Sequence, residues 1–291
     1  MGCARVAAGL ALALFAAAFA TASAAEHLTV GGYDRTFTVH APARPAASPP
    51  LVVVLHGGFG TGAGAEAAYH WDELADRYGF VVLYPDGMQR AWNAGDCCGE
   101  PRARGLDDVA FIEAAIRATS RTYATDPARL YVTGISNGGM MTYRLACESS
   151  LPIAAIAPVA AALPVACEHP QHVSLLHLHG LADRNVPIDG GPGSGFVHVT
   201  YRPVSTALAV FHKADDCQPP VTTTAGPVTT ARSGCAAGRV VQLTTIAGAG
   251  HQWPGAVPAP ARAAALLRLD PPSTALDATE LIWSFFDTPR R

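Results

Sequence analysis

Leu130-Tyr131-Val132-Thr133-Gly134-Ile135-Ser136-Asn137-Gly138-Gly139-Met140-Met141 is the stretch that decides the fold of this chain. A short apolar, β-branched run enters the pentapeptide Gly134-Ile135-Ser136-Asn137-Gly138, and a helical pattern follows over Asn137–Cys147. The pentapeptide has the form G-x-S-x-G. A strand that turns this sharply into a helix forces the central serine into strained φ/ψ, so small residues must sit two positions to either side. The Ser136 hydroxyl then stands above a sheet, at the N-terminus of a helix whose dipole favours developing negative charge. Ser136 is therefore the expected nucleophile.

Outward from this turn the chain alternates. Strand-like runs sit at Thr36–His40, Leu51–Leu55, Phe80–Tyr84, Leu130–Thr133, Val173–Leu178 and Val240–Ile246. Helical patterns lie between several of them, at Glu66–Tyr78, Asp107–Tyr123, Asn137–Cys147 and Val204–Ala214. Near-continuous apolar strands alternating with helices predict an α/β fold, with a mostly parallel central sheet and helices on both faces. The Pro/Ala-rich stretch Ala41–Pro50 reads as a surface connection, and Asp189–Thr200 as a Gly-rich surface loop. Asp277 and Glu280 form the pattern of a capping box opening a last amphipathic helix through Phe286. Five residues follow Phe286, so any polymer is expected to be gripped by the main domain itself.

A serine nucleophile needs a base held by an acid, and in this architecture the partners follow in the order Ser, Asp/Glu, His. Of eleven histidines, His251 stands apart. It follows the strand Val240–Ile246 through the flexible turn Ala247-Gly248-Ala249-Gly250, which can carry an imidazole over the sheet edge. His177 and His179 fall on or beside a buried strand and read as structural. Asp183 lies just past that strand, in His179-Gly180-Leu181-Ala182-Asp183, where ligands and catalytic groups gather in open α/β sheets. Asp189, Asp215 and Asp216 are its rivals. His56-Gly57-Gly58-Phe59-Gly60, after the strand Leu51–Leu55, suits an oxyanion loop. The backbone N–H of Gly58 or Phe59 would join that of Asn137.

The chain has 291 residues, 49% of them hydrophobic, and a net charge of −3. It is too apolar for intrinsic disorder and lacks the positive charge of a nucleic-acid-binding protein. Residues 1–24 place Arg5 before an apolar run that ends in Ala22-Ser23-Ala24, the pattern of a secretory signal peptide. The expected layout is a signal peptide over 1–24 and a single catalytic domain over 25–291, secreted and off the membrane once cleaved. Six cysteines lie beyond the signal: Cys97, Cys98, Cys147, Cys167, Cys217 and Cys235. In an exported chain they suggest three disulfides. Cys217 and Cys235 flank a Pro/Thr/Gly-rich loop and form the natural local pair. Of the three pairings open to the other four, the vicinal Cys97–Cys98 bridge is the least favoured, because its backbone is strained. No CxxC pair or Cys/His cluster has zinc-ligand spacing. The expected chemistry needs no metal or organic cofactor.

The sequence resembles the secreted polyhydroxybutyrate-depolymerase-like esterases of the α/β-hydrolase superfamily, a group of carbohydrate esterase family 1 type that includes feruloyl and acetylxylan esterases. The resemblance rests on Leu55-His56-Gly57-Gly58, Trp92-Asn93-Ala94-Gly95-Asp96-Cys97-Cys98 and Asp107-Asp108-Val109-Ala110-Phe111-Ile112. It continues through Gly134–Met141, His179–Asp183 and Gly250-His251-Gln252-Trp253-Pro254-Gly255. It implies a Ser136–His251–Asp183 triad acting on carboxylic esters, either hydroxyalkanoate oligomers or feruloyl and acetyl esters of plant polysaccharide. It also implies that Trp92 and Trp253 flank the substrate cleft, and that Asp107 and Asp108 cap their helix and organise the Trp92 loop. The chain departs from the pattern at Phe211–Cys217, where relatives often carry a Trp-containing helix. The alternative readings are a hydrolase of another polymer such as poly(aspartate), and a non-catalytic carbohydrate-binding protein on the same scaffold.

Overall fold

The structure is a computed structural model that describes residues 25–195, 199–267 and 269–288. The expected signal peptide, residues 1–24, lies outside the described residues. The strands are Glu26–Val30 (β1), Tyr33–His40 (β2), Leu51–Leu55 (β3), Val81–Pro85 (β4), Leu130–Ile135 (β5) and Ala155–Val159 (β6). They continue with Ser174–Gly180 (β7), Gly191–Pro192 (β8), Thr200–Tyr201 (β9), Val221–Ala225 (β10), Val228–Gly234 (β11) and Val240–Ile246 (β12). The helices are Gly62–Tyr69 (α1), Trp71–Tyr78 (α2), Gly99–Ala103 (α3), Asp108–Tyr123 (α4), Asn137–Glu148 (α5), Val204–Ala214 (α6), Ala261–Leu267 (α7) and Ala278–Phe286 (α8).

The main sheet runs β1-β2-β4-β3-β5-β6-β7-β12-β11-β10. Its centre, β4 to β12, is parallel, and antiparallel strands extend both edges. The expected mostly parallel sheet is what forms. Every residue of β3 is buried, because period-two alternation serves two cores. Val53 and Leu55 join Val132 and Leu175 beneath Phe111, Tyr143 and Phe211, contributed by α4, α5 and α6. Val52 and Val54 join Leu176 and Leu178 with Trp71, Trp283 and Phe286, on the side of α2 and α8. Each such aliphatic side chain contributes about 1.5–3 kcal/mol by leaving water. The parallel order has one consequence for chemistry: β5, β6, β7 and β12 are neighbours, so the loops after β5, β7 and β12 open on one edge.

Several elements differ from expectation. The predicted helix Glu66–Tyr78 is two helices, α1 and α2, parted at His70 with φ 61°. The break swings Trp71 into the core and lets Asp72 accept the Tyr84 hydroxyl at 2.6 Å. Strand β6 was not anticipated, since Ala155-Ile156-Ala157-Pro158-Val159 is poor in strand formers. Pro158 offers no N–H, and the ladder from β6 to β7 skips from Ile156↔Leu175 to Val159↔Leu178. The Thr-rich segment between Cys217 and Cys235 is no loop but the β10–β11 hairpin, as the strand preference of threonine allows. Asp277 caps α8 by accepting the Glu280 N–H at 3.0 Å. The Glu280 carboxylate turns to Arg77 at 2.9 Å, so only half of the capping box forms.

Among the described residues three disulfides are present: Cys217–Cys235, Cys147–Cys167 and Cys97–Cys98. The first is the expected local pair. The last corrects the expectation that a vicinal bridge is the least favoured. Cys147 at the end of α5 lies 5.5 Å, Cα to Cα, from Cys167 in the segment after β6. That pairing leaves Cys97 and Cys98 to each other.

Candidate active site

Ser136 joins β5 to α5 with φ 56° and ψ −122°, the strained turn anticipated for G-x-S-x-G. Its N–H donates to the Val159 carbonyl of β6 at 2.9 Å, and its own carbonyl accepts from Met140 at 2.8 Å, which opens the helix. Gly138 is required by close approach: a Cβ there would fall on the Leu55 and His56 carbonyls. The helix N-terminus is thereby pressed against the end of β3.

The loops after β7 and β12 are stitched together. Leu181 donates to the Ile246 carbonyl at 3.0 Å and Ala182 to the Ala249 carbonyl at 2.8 Å. Gly180 allows this, since a Cβ would collide with the Ala249 carbonyl. As a result the His251 Nδ1 hydrogen-bonds the Asp183 carboxylate at 2.7 Å, with the Asp183 side chain fully buried and that of His251 10% exposed. The other Asp183 oxygen accepts the N–H groups of Asn185 and Val186, both at 2.9 Å. The acid is thus locked from both sides, and His251 is held with its Nε2 turned away from the carboxylate. No hydrogen bond joins Ser136 to His251 in this structure. Such contacts commonly tighten only around substrate.

The loop His56–Gly60 lies against Ser136. A Cβ at Gly57 would stand 3.6 Å from that of Ser136. Of the two candidate donors in this loop, Phe59 is already spent, donating its N–H to the Arg90 carbonyl at 2.8 Å. Gly58 is exposed, and its N–H meets no protein acceptor among the described residues. Asn137, at the first position of α5, has an N–H without an intrahelical partner. Neither amide has a protein acceptor among the described residues.

The family model described as Esterase PHB depolymerase matches residues 37–179. The chain is 31% identical over 256 residues to the "Putative esterase NocK" of Nocardia uniformis subsp. tsuyamanensis, a match covering 79% of this chain and 74% of that one. The chain belongs to the Esterase PHB depolymerase family. By that membership it is a serine carboxylic-ester hydrolase. It is also 35% identical over 125 residues to poly(3-hydroxyalkanoate) depolymerase C of Paucimonas lemoignei, a match covering 42% of this chain and 30% of that relative. Feruloyl esterase B of Neurospora crassa is 33% identical over 105 residues, covering 35% of this chain and 36% of that relative. Among solved structures, the acetyl xylan esterase from Aspergillus awamori superposes with a TM-score of 0.60 at 17% identity, covering 85% of this chain and all of that one. This likeness carries the α/β-hydrolase fold.

Of the four tryptophans of this esterase, the two expected to flank the cleft are packed inside. Trp92 and Trp253 are 0% and 1% exposed. Trp253 stacks on Tyr69 with centroids 4.5 Å apart and donates its indole N–H to Thr279 at 3.1 Å. Trp92 is a strut. Its indole N–H reaches the His56 carbonyl at 2.9 Å, and its backbone pairs with the Asn137 side chain through bonds of 2.7 and 3.0 Å. One buried residue thereby ties the His56 loop to the first turn of α5. His56 completes the tie, accepting the Gly87 N–H at 2.9 Å. Burial lowers its pKa, which keeps that acceptor nitrogen unprotonated.

The remaining acidic residues take the places expected of them, with one addition. Asp107 caps α4 through the Ala110 N–H at 2.9 Å. Asp108 accepts the Asn93 N–H beside Trp92 and the Arg35 guanidinium, both at 2.7 Å. Burial pushes its carboxyl up while Arg35 opposes the shift. Asp215 is occupied by Arg239 at 2.6 Å and His172 at 2.9 Å, which removes it as a rival to Asp183. Asp270 is the residue that no motif announced: its carboxylate accepts the His251 N–H at 2.7 Å and anchors the base by its backbone. Tyr201 adjoins the site. Burial, together with the nearby Asp183 charge, pushes its phenol up to about 12. Among the described residues no three His, Cys, Asp or Glu side chains converge to hold a metal ion.

Proposed function

We propose that this chain is an exported esterase in which Ser136 attacks the ester carbonyl, His251 is the base and Asp183 the acid. The observation that carries the reading is the 2.7 Å bond between a base and a buried acid, each on a loop at the sheet edge where the strained Ser136 turn stands. His251 Nε2 takes the Ser136 proton as the Ser–O–C bond forms. The tetrahedral oxyanion is received by the N–H groups of Gly58 and Asn137, each such donor worth about 3 kcal/mol in the transition state. His251 then returns the proton to the leaving alcohol. A water molecule, deprotonated by the same Nε2, cleaves the acyl-enzyme and restores Ser136. Asp183 orients the imidazole and stabilises its cation without taking the proton.

Hydroxyalkanoate oligomers and the feruloyl or acetyl esters of polysaccharide are the substrate classes that the named relatives support. The exposed mouth of the site, with Phe59 and Leu181 about half accessible on its two loops, favours an ester whose chain lies along the surface. Export is supported by the signal-like residues 1–24 and by three disulfides. The test is Ser136→Ala, compared with wild type on nitrophenyl butyrate, hydroxybutyrate trimer, methyl ferulate and acetylated xylan. The expected result is hydrolysis near background for every ester at an unchanged melting temperature, and the wild-type ranking assigns the substrate. Activity retained by Ser136→Ala overturns the assignment.

A further inference from the structure

Behind Asp183, on the face of β7 covered by α5, lies a buried row of polar groups that the triad does not use. The Tyr143 hydroxyl stands 2.7 Å from His177 Nδ1. The His177 Nε2 stands 2.9 Å from His179 Nδ1, and the His179 Nε2 stands 2.8 Å from the Val186 carbonyl. That same His179 nitrogen is 3.6 Å from the Asp183 carboxylate oxygen that holds His251. His177 and His179 are two residues apart on one strand, so both point to the same face. Their rings lie nearly parallel with centroids 5.1 Å apart.

Chemistry fixes the direction of every bond in this row. Burial lowers the pKa of both imidazoles, so each is neutral, with one N–H and one lone pair. The Val186 carbonyl can only accept, so the His179 proton is on Nε2. His179 Nδ1 must then accept, which puts the His177 proton on Nε2 as well. His177 Nδ1 accepts in turn, and Tyr143 donates. Burial also pushes the Tyr143 phenol up, so its proton stays on the hydroxyl. Every O–H or N–H therefore points toward Asp183. The opposite tautomer of His179 would turn the single Nε2 lone pair toward both the Val186 carbonyl and the carboxylate. Val186 is itself a donor to Asp183, through its N–H, so His179 and Asp183 grip the same peptide segment from two sides.

We propose that Tyr143, His177 and His179 form a one-way hydrogen-bond chain, with His179 as the positioning residue that fixes the Asp183–Val186 turn and presents an N–H toward the acid. The proposal rests on the triad reading given above. Because the chain touches no substrate, its loss lowers kcat and leaves KM unchanged. Aligned hydrogen bonds also reinforce one another, so an effect applied at Tyr143 reaches Asp183 through both rings.

The test has two parts. Nitrogen-15 NMR of histidine-labelled wild-type protein reads the tautomers directly, and the expected result is a proton on Nε2 in both His177 and His179. A proton on Nδ1 of His179, or a charged ring at neutral pH, overturns the proposal whatever the status of the triad. Kinetics then test the consequence. Tyr143→Phe deletes the terminal donor without changing the shape of the ring, and a loss of about fivefold in kcat at constant KM is expected, the worth of one net hydrogen bond. His179→Leu should lose more than tenfold, and His179→Gln, which restores an N–H near the Nε2 position, should recover most of it. Full kcat in a folded Tyr143→Phe protein, or equal losses in the Leu and Gln variants, overturns the positioning role. A failure of the triad reading is distinguished by Ser136→Ala, which would then keep its activity.

Discussion

A non-glycine residue at φ 56° and ψ −122° sits in a region that costs about 1–3 kcal/mol and persists only where its surroundings over-determine it. For Ser136 those surroundings are the Val159 carbonyl, the Met140 N–H and the bare α-carbons of Gly134 and Gly138. The strain holds the hydroxyl at the N-terminus of α5, next to the Asn137 amide. Gly138→Ala, placed by its Cβ on the Leu55 and His56 carbonyls, is expected to destabilise the protein by about 1–3 kcal/mol, as overpacking does. It should also lower kcat more than it raises KM, because the carbonyls it displaces carry the His56–Gly60 loop, proposed above to receive the oxyanion. Thermal melting and steady-state kinetics on nitrophenyl butyrate check both. The positions of Ser136, Asp183 and His251 were legible in the chain because each follows an apolar strand at a short, glycine-containing turn. Asp270 was not, since a carboxylate that serves a backbone N–H from nineteen residues away leaves no local pattern. The exclusion of Phe59 as a donor was equally hidden: it depends on the Arg90 carbonyl, thirty-one residues further along.

Elements read from periodicity held where packing and propensity agree, as in β3, α4 and α5. They failed where tertiary contacts overrule propensity. Ala157 and Pro158 become central strand because β5 and β7 flank them, and His70 breaks a helical pattern so that Trp71 can enter the core. The helices α4 and α5 are joined by a device of their own. Glu113 of α4 accepts from the Ser149 and Ser150 hydroxyls just past α5, at 2.8 and 2.9 Å, and from the Ser150 N–H. Burial alone would push the Glu113 carboxyl up, but these bonds and Arg117 outweigh it and hold the carboxyl below its ordinary value. A depressed carboxylate contributes stability that is fully present above the ordinary value of 4.5 and is lost as pH falls below it. Glu113→Gln should therefore cost about 1 kcal/mol at pH 7, roughly 2–4 °C in Tm. The gap to wild type should close as the pH falls below 4.5. A gap that is constant across this range would mean that the carboxylate charge contributes nothing.

At the scale of the whole molecule, sheet order does the assembling. Because β3, β5, β6, β7 and β12 lie side by side and parallel, the loops that carry positions 58, 136, 183 and 251 open on one edge although nearly two hundred residues separate the first from the last. The α/β class and the local Cys217–Cys235 bridge were readable from the chain, whereas the pairing of Cys147 with Cys167 was not: it depends on where α5 ends relative to the segment after β6. The buried Trp92 strut and the Tyr143–His177–His179 row follow the same logic, each bridging elements whose nearness only the folded sheet creates. The central claim is that this assembled edge activates Ser136 as a nucleophile, and an active-site-directed fluorophosphonate tests it most directly. Peptide mapping after labelling of the wild-type protein should find one equivalent of phosphonate, on Ser136, with ester hydrolysis lost in step and no label in Ser136→Ala. A labelled residue other than Ser136, or an unlabelled protein that still hydrolyses esters, would contradict the account.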